Sequence, residues 1–148
     1  MKKMPLLIFA ILIIVISGAV FYTAKKEEPV REDSKQTVQE YTSISSDELE
    51  SMLADKDFIF IDVHTPEQEH IAGTDFVIPF DQTQKITSVL NNKNTKVVLY
   101  CRSGSMSKIA AQTLTDMGYS NVYELIGGLH DWISRGRKTV PIGSIPTP

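Results

Sequence analysis

The sequence contains a single cysteine, Cys101, among its 148 residues, and this scarcity excludes several kinds of chemistry. One thiol cannot form a disulfide within the chain, and without a second cysteine there is no Cys-x-x-Cys pair for thioredoxin-like exchange. The three histidines, His64, His70 and His130, do not combine with cysteine or carboxylates at the spacing of metal ligands. We therefore predict no metal site and no cofactor.

The chain also lacks an excess of positive charge, with 15 lysines and arginines against 18 acidic residues and a net charge of −3. Proteins that hold nucleic acids or anionic lipid headgroups present basic patches, so we expect neither as a partner. No internal repeat is visible. The length suits one compact domain of about 100 residues with an extension.

One long apolar run is present, because residues 4–22 carry no charge and are rich in Leu, Ile, Val, Phe and Ala. A helix of this length, at about 1.5 Å per residue, nearly crosses a hydrocarbon core of about 30 Å. We predict that residues 1–24 form a single transmembrane helix that acts as a membrane anchor, or else a signal segment. Ser17-Gly18-Ala19 offers a cleavage site, but the run continues to Tyr22, which favours the uncleaved anchor.

Lys2 and Lys3 precede the apolar run and favour a cytoplasmic N-terminus. The domain that follows is then extracytoplasmic, tethered to the cell membrane by a single pass. The alternative is a protein secreted after signal cleavage.

Composition divides the rest of the chain into three segments. Residues 25–41 are charged, without apolar periodicity, and predict a flexible tether. Residues 42–136 predict the folded domain. Residues 137–148 hold three prolines and predict an irregular tail.

Within the domain, strand and helix patterns alternate. Apolar runs predict strands over 58–63, 76–80, 97–100 and 121–125, and periodic segments predict helices over 47–54, 82–90, after Cys101 to Met117, and 129–135. Ser45 and Glu48 have the spacing of a capping box for the first helix. The fold class is therefore α/β, with a mainly parallel central sheet and helices on both faces. The helix after Cys101 should bury a stripe of Ile109, Ala110, Thr113, Leu114 and Met117.

Cys101 follows the apolar strand 97–100 and precedes a loop of small residues that leads into a helix. Several backbone N–H groups can converge there on one negative charge, the helix dipole adds to them, and Arg102 places a fixed positive charge beside the sulfur. A buried cysteine without a role is the alternative. The glycine, serines and arginine that follow favour a reactive thiolate.

Residues 97–132 read VVLYCRSGSMSKIAAQTLTDMGYSNVYELIGGLHDW, and residues 62–67 read DVHTPE. The first stretch resembles the C-terminal half of a rhodanese domain, with its strand, Cys loop, Ala-Ala helix, Asn-Val strand and Gly-Gly-x-x-x-Trp. The second is similar to the Asp-Val-Arg-x-Pro-x-Glu element of that family. The resemblance covers roughly residues 43–136.

The resemblance implies a sulfurtransferase that moves a sulfane sulfur from a small anionic donor such as thiosulfate to a thiol or cyanide acceptor. Cys101 would be the nucleophile and carry the sulfur as a persulfide. The substrate-binding loop would comprise Arg102, Ser103, Gly104, Ser105, Met106 and Ser107, with Ser105 or Ser107 also available to cap the helix. The alternative is a noncatalytic rhodanese-fold module that binds a partner or carries sulfur.

Other readings of the same residues are weaker. Phosphatase relatives of this fold use Cys-x5-Arg, whereas position 107 here is serine. His64 stands where rhodaneses usually have arginine, and a Cys101–His64 nucleophile–base pair is conceivable if their loops meet. Asp62, charged within an apolar strand, is expected to accept structural hydrogen bonds. Trp132 is expected to pack the last helix.

Overall fold

The computed structural model describes residues 40–148. In chain order its elements are β1 (Thr42–Ile44), α1 (Ser46–Ala54), β2 (Ile59–Asp62), β3 (His70–Ile71), β4 (Phe76–Val77), α2 (Thr83–Val89), β5 (Val97–Tyr100), α3 (Ser105–Asp116), β6 (Val122–Leu125), α4 (Gly128–Ser134) and β7 (Thr139–Val140). Five strands form a sheet in the order β1-β6-β5-β2-β4, and every pair in it is parallel. The predicted α/β class and parallel sheet are confirmed.

The sheet is covered on both faces, as strand alternation requires. On β5, Val97 and Leu99 pack with Ala110 and Leu114 of α3 on one side. The other side of the strand packs against α1 and α4 through a second apolar cluster that includes Leu49, Val98, Tyr100, Leu125 and Trp132. Since β5 is buried along its whole length, it fixes the position of the residue that follows it.

The predicted capping box starts α1. The Ser45 hydroxyl accepts the Glu48 N–H at 3.3 Å, and the Glu48 carboxylate accepts the Ser45 N–H at 2.7 Å. Two amide groups that the first helical turn leaves free are satisfied in this way. Local sequence alone was sufficient to predict this helix start.

The buried face of α3 differs from the predicted stripe. Ile109 is 54% exposed and Met117 is 44% exposed, while the helix buries Ser107, Ala110, Ala111, Leu114 and Thr115. The two alanines allow close approach to the sheet. The polar Ser107 and Thr115 are buried because their hydroxyls are satisfied, Ser107 by Glu124 on the sheet and Thr115 by the Gln112 carbonyl of the same helix. The prediction from apolar residues alone therefore placed the buried face of α3 in the wrong orientation by part of a helical turn. The helix ends close to Met117, as predicted, and Gly118 follows it with φ of +85°.

The tail also differs from its prediction as irregular. Within 137–148, β7 pairs antiparallel with β3, so that His70 lies opposite Val140 and Ile71 opposite Thr139. The indole N–H of Trp132 donates to the Lys138 carbonyl at 2.9 Å and holds the start of this segment. Trp132 is buried and packs the last helix as expected. Two-residue strands are too short to show an alternating pattern in the sequence.

The predicted anchor, residues 4–22, and most of the predicted tether lie outside the described residues. Among residues 40–148, none of the helices has both the length and the apolar character needed to span a membrane.

Candidate active site

Cys101 lies where the sequence predicted, directly after β5 at the carboxyl edge of the parallel sheet. Its residue surface is 1% exposed. The Gly104 N–H donates to Cys101 Sγ at 3.1 Å, and the Ser107 hydroxyl lies 3.6 Å from the same sulfur. The loop therefore turns back over the sulfur and places hydrogen-bond donors on it at the N-terminus of α3.

Gly104 makes this turn possible. Its φ is +102°, in the left-handed region that favours glycine, and it is the N-cap of α3. A Cβ at this position would lie 3.2 Å from Glu124 Oε1. Neither Ser105 nor Ser107 caps the helix through its side chain, which corrects that expectation. The helix start is set by backbone conformation and leaves the Ser107 hydroxyl for the site.

The other end of the loop is fixed by α4. The Leu129 N–H donates to the Cys101 carbonyl at 2.9 Å, and the His130 N–H donates to the Arg102 carbonyl at 3.0 Å. Gly128 has φ of +56°, and a Cβ there would lie 2.2 Å from the Cys101 carbonyl oxygen. Only a residue without a side chain fits this approach. The Gly-Gly pair of the Gly-Gly-x-x-x-Trp motif thus contacts the Cys101 loop directly.

Arg102 is exposed and points along α4. Its Nε–H donates to His130 Nε2 at 2.9 Å, which holds the guanidinium against this helix. Both side chains line a cleft of about 300 Å³ between α4 and the loop after β2, together with His64, Pro66, Glu67, Gln68, Glu69, Leu129 and Ile133. The bond uses Nε, so the terminal NH₂ groups remain for a ligand in the cleft.

The remaining residues of the predicted binding loop differ in their exposure to solvent. Ser103 and Ser105 are exposed, and Met106 is half-buried against the apolar cluster that includes Cys101. In the part of the chain that the structure describes, Gly104 and Ser107 are the loop residues that hydrogen-bond the sulfur. The structure thus brings Cys101, Gly104 and Ser107 together, and it leaves the other serines at the surface.

His64 does not pair with Cys101. Residues 40–148 contain no hydrogen bond between the two, so the structure gives no support to the nucleophile–base alternative. Burial lowers the pKa of His64, and its Nδ1 atom is buried without a hydrogen-bond partner in that range. His64 lines the cleft as a neutral side chain at neutral pH.

Asp62 is a structural acceptor, as predicted. Its carboxylate accepts the His64 N–H at 2.9 Å and lies 2.9 Å from His70 Nδ1, and both side chains of this pair are buried. Burial raises the pKa of Asp62 in spite of these bonds. The pair fixes the loop between β2 and β3, which forms one wall of the cleft.

Sequence reasoning missed Glu124, which is fully buried on β6 beneath the Cys101 loop. The Ser107 hydroxyl donates to Glu124 Oε1 at 2.9 Å. Burial raises the pKa of Glu124, while the Ser107 hydrogen bond and the positive charge of Lys108 act in the opposite direction. The signal in the sequence was a carboxylate inside the apolar run 122–125, the same signal that identified Asp62.

Comparison with known proteins agrees with this arrangement. Residues 45–135, more than half of the chain, match the family described as Rhodanese-like domain. The thiosulfate sulfurtransferase PspE of Escherichia coli (strain K12) is 37% identical over 75 residues, which cover 49% of this chain and 71% of PspE. The thiosulfate sulfurtransferase GlpE of Coxiella burnetii is 32% identical over 95 residues, covering 62% of this chain and 87% of GlpE.

A solved structure has the same fold. The crystal structure of the Alr3790 protein from Anabaena sp. superposes with a TM-score of 0.60 at 27% sequence identity, covering 68% of this chain and 81% of that one.

Proposed function

Since the chain belongs to the rhodanese-like domain family, we propose that it is a sulfurtransferase that uses Cys101 as its nucleophile. The donor is a small sulfane-sulfur anion such as thiosulfate, and the acceptor is a thiol or cyanide. The observation that carries the proposal is the pair of donors on the sulfur, the Gly104 N–H at 3.1 Å and the Ser107 hydroxyl at 3.6 Å. These hydrogen bonds would stabilise the negative charge of the Cys101 thiolate, the form that attacks the donor.

The reaction has two steps. In the first, the Cys101 thiolate attacks the outer sulfur of thiosulfate, a new S–S bond forms, and the S–S bond of the donor breaks with its electron pair leaving on sulfite. The persulfide then carries one negative charge on its terminal sulfur. In the second step a thiolate or cyanide attacks that terminal sulfur, and the electron pair of the broken bond returns to Cys101.

The loop supplies the binding and electrostatic parts of these steps. Gly104 and Ser107 hold the cysteine sulfur, and Arg102 attracts the anionic donor from the cleft beside the loop. No acid or base side chain is needed, because neither step transfers a proton to or from the reacting sulfurs in their anionic forms. This agrees with the lack of a hydrogen bond between His64 and Cys101 within residues 40–148.

A sulfur carrier or noncatalytic binding module is the second candidate. The observation in its favour is the burial of Cys101, which at 1% exposure offers little surface to an incoming donor. A carrier would take up sulfur and release it slowly to one protein partner. An inert module would take up none.

The test is incubation with thiosulfate, removal of the donor, and intact-mass measurement. We expect a gain of one sulfur that is lost on adding cyanide, with thiocyanate formed in repeated cycles. Cys101→Ser, which is nearly isosteric, should keep the fold and lose both the added mass and the turnover. Single-cycle uptake without turnover identifies the carrier, and no uptake by the wild-type chain rejects both sulfur-bearing functions.

We also propose that residues 4–22 anchor the chain in the cell membrane, with the rhodanese-like domain on the extracytoplasmic side. The support is the uncharged run behind Lys2 and Lys3. A secreted form, cleaved after Ala19, is the alternative.

A further inference from the structure

The Ser107 hydroxyl lies between the sulfur of Cys101 and the carboxyl group of Glu124. Its oxygen is 2.9 Å from Glu124 Oε1, 3.1 Å from the Gly104 carbonyl oxygen and 3.6 Å from Cys101 Sγ. A hydroxyl carries one hydrogen, so it can donate to only one of these three acceptors at a time. The sulfur and the carboxyl group can each be protonated, and their protonation states decide which of these two receives it.

Glu124 is placed so that its ionised form is costly. The residue is 0% exposed, and within residues 40–148 its Oε2 atom has no hydrogen-bond partner. A buried carboxylate oxygen without a donor loses its hydration without replacement, and the neutral carboxyl group, which has no charge to solvate, costs less to bury. Burial raises the pKa of Glu124, which agrees with this geometry.

Two titratable groups face Glu124 in the part of the chain that the structure describes. Lys108, on the first turn of α3, lowers the pKa of Glu124 through its charge, and it is exposed. Cys101 lies across Ser107 at the end of β5. On the remaining side, β1 contributes Ser43, which lies in register with Glu124 and carries no charge, and whose hydroxyl lowers the pKa of Glu124, against the effect of burial.

Two acidic groups therefore share one hydroxyl and one helix N-terminus. A sulfur anion and a carboxylate on either side of Ser107 would repel each other, and each would compete for the same hydrogen. The arrangement favours one negative charge at a time.

We propose that Glu124 is a positioning residue that shares one negative charge with Cys101 through Ser107. When the sulfur is anionic, as thiolate or persulfide, Glu124 holds a proton and donates it to the Ser107 oxygen, and Ser107 donates to the sulfur. When Glu124 is ionised, Ser107 donates to the carboxylate, and the sulfur keeps the Gly104 amide alone. The catalytic meaning of this exchange rests on the proposed sulfur transfer, but the exchange itself does not.

The test measures the rate of Cys101 alkylation by iodoacetamide against pH in the full chain. Glu124→Gln keeps the shape and removes the charge, so we expect its alkylation profile to move to lower pH by about one unit, the scale of a neighbouring charge. Glu40→Gln makes the same change at an exposed site and should leave the profile unchanged. An unshifted profile for Glu124→Gln overturns the proposal.

The role of Ser107 is tested by repeating the comparison in a Ser107→Ala background. Without the hydroxyl, Glu124→Gln should shift the profile by less than half as much. If the shift in the Ser107→Ala background is as large as in the wild-type background, the two charges interact directly through space. That result rejects the proposal that the Ser107 hydroxyl couples Glu124 to Cys101.

A second measurement covers the case in which Glu124→Gln does not fold. Carbon-13 NMR of labelled glutamate in the otherwise wild-type chain follows the Glu124 carboxyl directly. By linkage, Glu124 should lose its proton at lower pH in Cys101→Ser than with an anionic sulfur present, and identical titrations reject the coupling. Neither the alkylation rate nor the NMR titration depends on sulfur transfer. Both therefore test the coupling even if the chain proves to have no sulfurtransferase activity.

Discussion

Arg102 follows Cys101 in sequence and is held by His130, which lies 28 positions further along the chain. Its Nε–H donates to His130 Nε2 at 2.9 Å, and both side chains line the cleft beside the Cys101 loop. A guanidinium fixed in this way loses less side-chain entropy when an anion binds than a freely moving one does. In the proposed reaction, we therefore expect Arg102 to contribute to donor binding more than to stabilisation of the sulfur.

Replacing Arg102 tests that assignment. We expect Arg102→Ala to raise the KM for thiosulfate about tenfold, with a smaller change in kcat, because the lost interaction is a charge-assisted contact to the donor. Steady-state thiocyanate formation measures both constants. Lys85→Ala removes an equal charge from an exposed position of α2 and should change neither. Unchanged thiosulfate kinetics in Arg102→Ala would contradict the role.

The two buried carboxylates, Asp62 and Glu124, differ in how well their hydrogen-bond partners could be predicted from sequence. Asp62 stands two residues before His64 and eight before His70, so its partners are local and its structural role could be predicted. Glu124 bonds a serine 17 residues earlier. Ser107 lies beside Glu124 because β6 pairs with β5, the strand that precedes the Ser107 helix. Local sequence does not predict which strands are neighbours in the sheet.

At the scale of elements, α4 positions the loop more strongly than the sequence suggested. Its first turn donates two backbone hydrogen bonds to the carbonyls of Cys101 and Arg102. This contact requires the backbone of Gly128 to touch the backbone of the loop, with no room for a side chain. Cys101, the proposed nucleophile, is therefore fixed between α3 and α4.

Gly128→Ala should separate these two elements. The added Cβ would lie 2.2 Å from the Cys101 carbonyl oxygen, so the backbone must move. We expect a loss of about 3 kcal/mol in the free energy of unfolding, together with loss of sulfur uptake. Denaturant titration and intact-mass analysis measure the two effects.

Gly118→Ala is the matched control, since Gly118 also has positive φ but a Cβ there meets nothing within 4 Å. It should lower the free energy of unfolding by about 1 kcal/mol and keep sulfur uptake. Equal sulfur uptake by the two variants would show that contact between α4 and the loop does not control the site.

Elements with local signals were predictable, and elements that depend on distant pairing were not. The capping box of α1, the buried strand β5 and the glycine end of α3 each follow from neighbouring residues. In contrast, β3 and β7 have two residues each and exist through their pairing between positions about 70 residues apart in sequence. The α3 stripe was misplaced because Ser107 and Thr115 are buried through hydrogen bonds, which apolar periodicity does not count.

For the whole molecule, the burial of Cys101 agrees with the proposed extracytoplasmic location. An exposed single thiol in an oxidising compartment would pair with a second molecule or be capped. At 1% exposure, Cys101 presents little surface to the thiol of a second molecule. Burial thus disfavours intermolecular disulfides.

The membrane proposal makes the final prediction. Residues 4–22 form an uncharged run, so the full chain should stay with membranes through an alkaline wash and keep its original N-terminus. Ile13→Lys places a charge at the middle of the run, at a cost of about 3 kcal/mol, and should release part of the chain from the membrane. An N-terminus at Val20, found by mass analysis of the purified chain, would instead identify the secreted form. Protease added outside intact cells should degrade the domain, and protection in intact cells combined with membrane retention would reverse the proposed orientation.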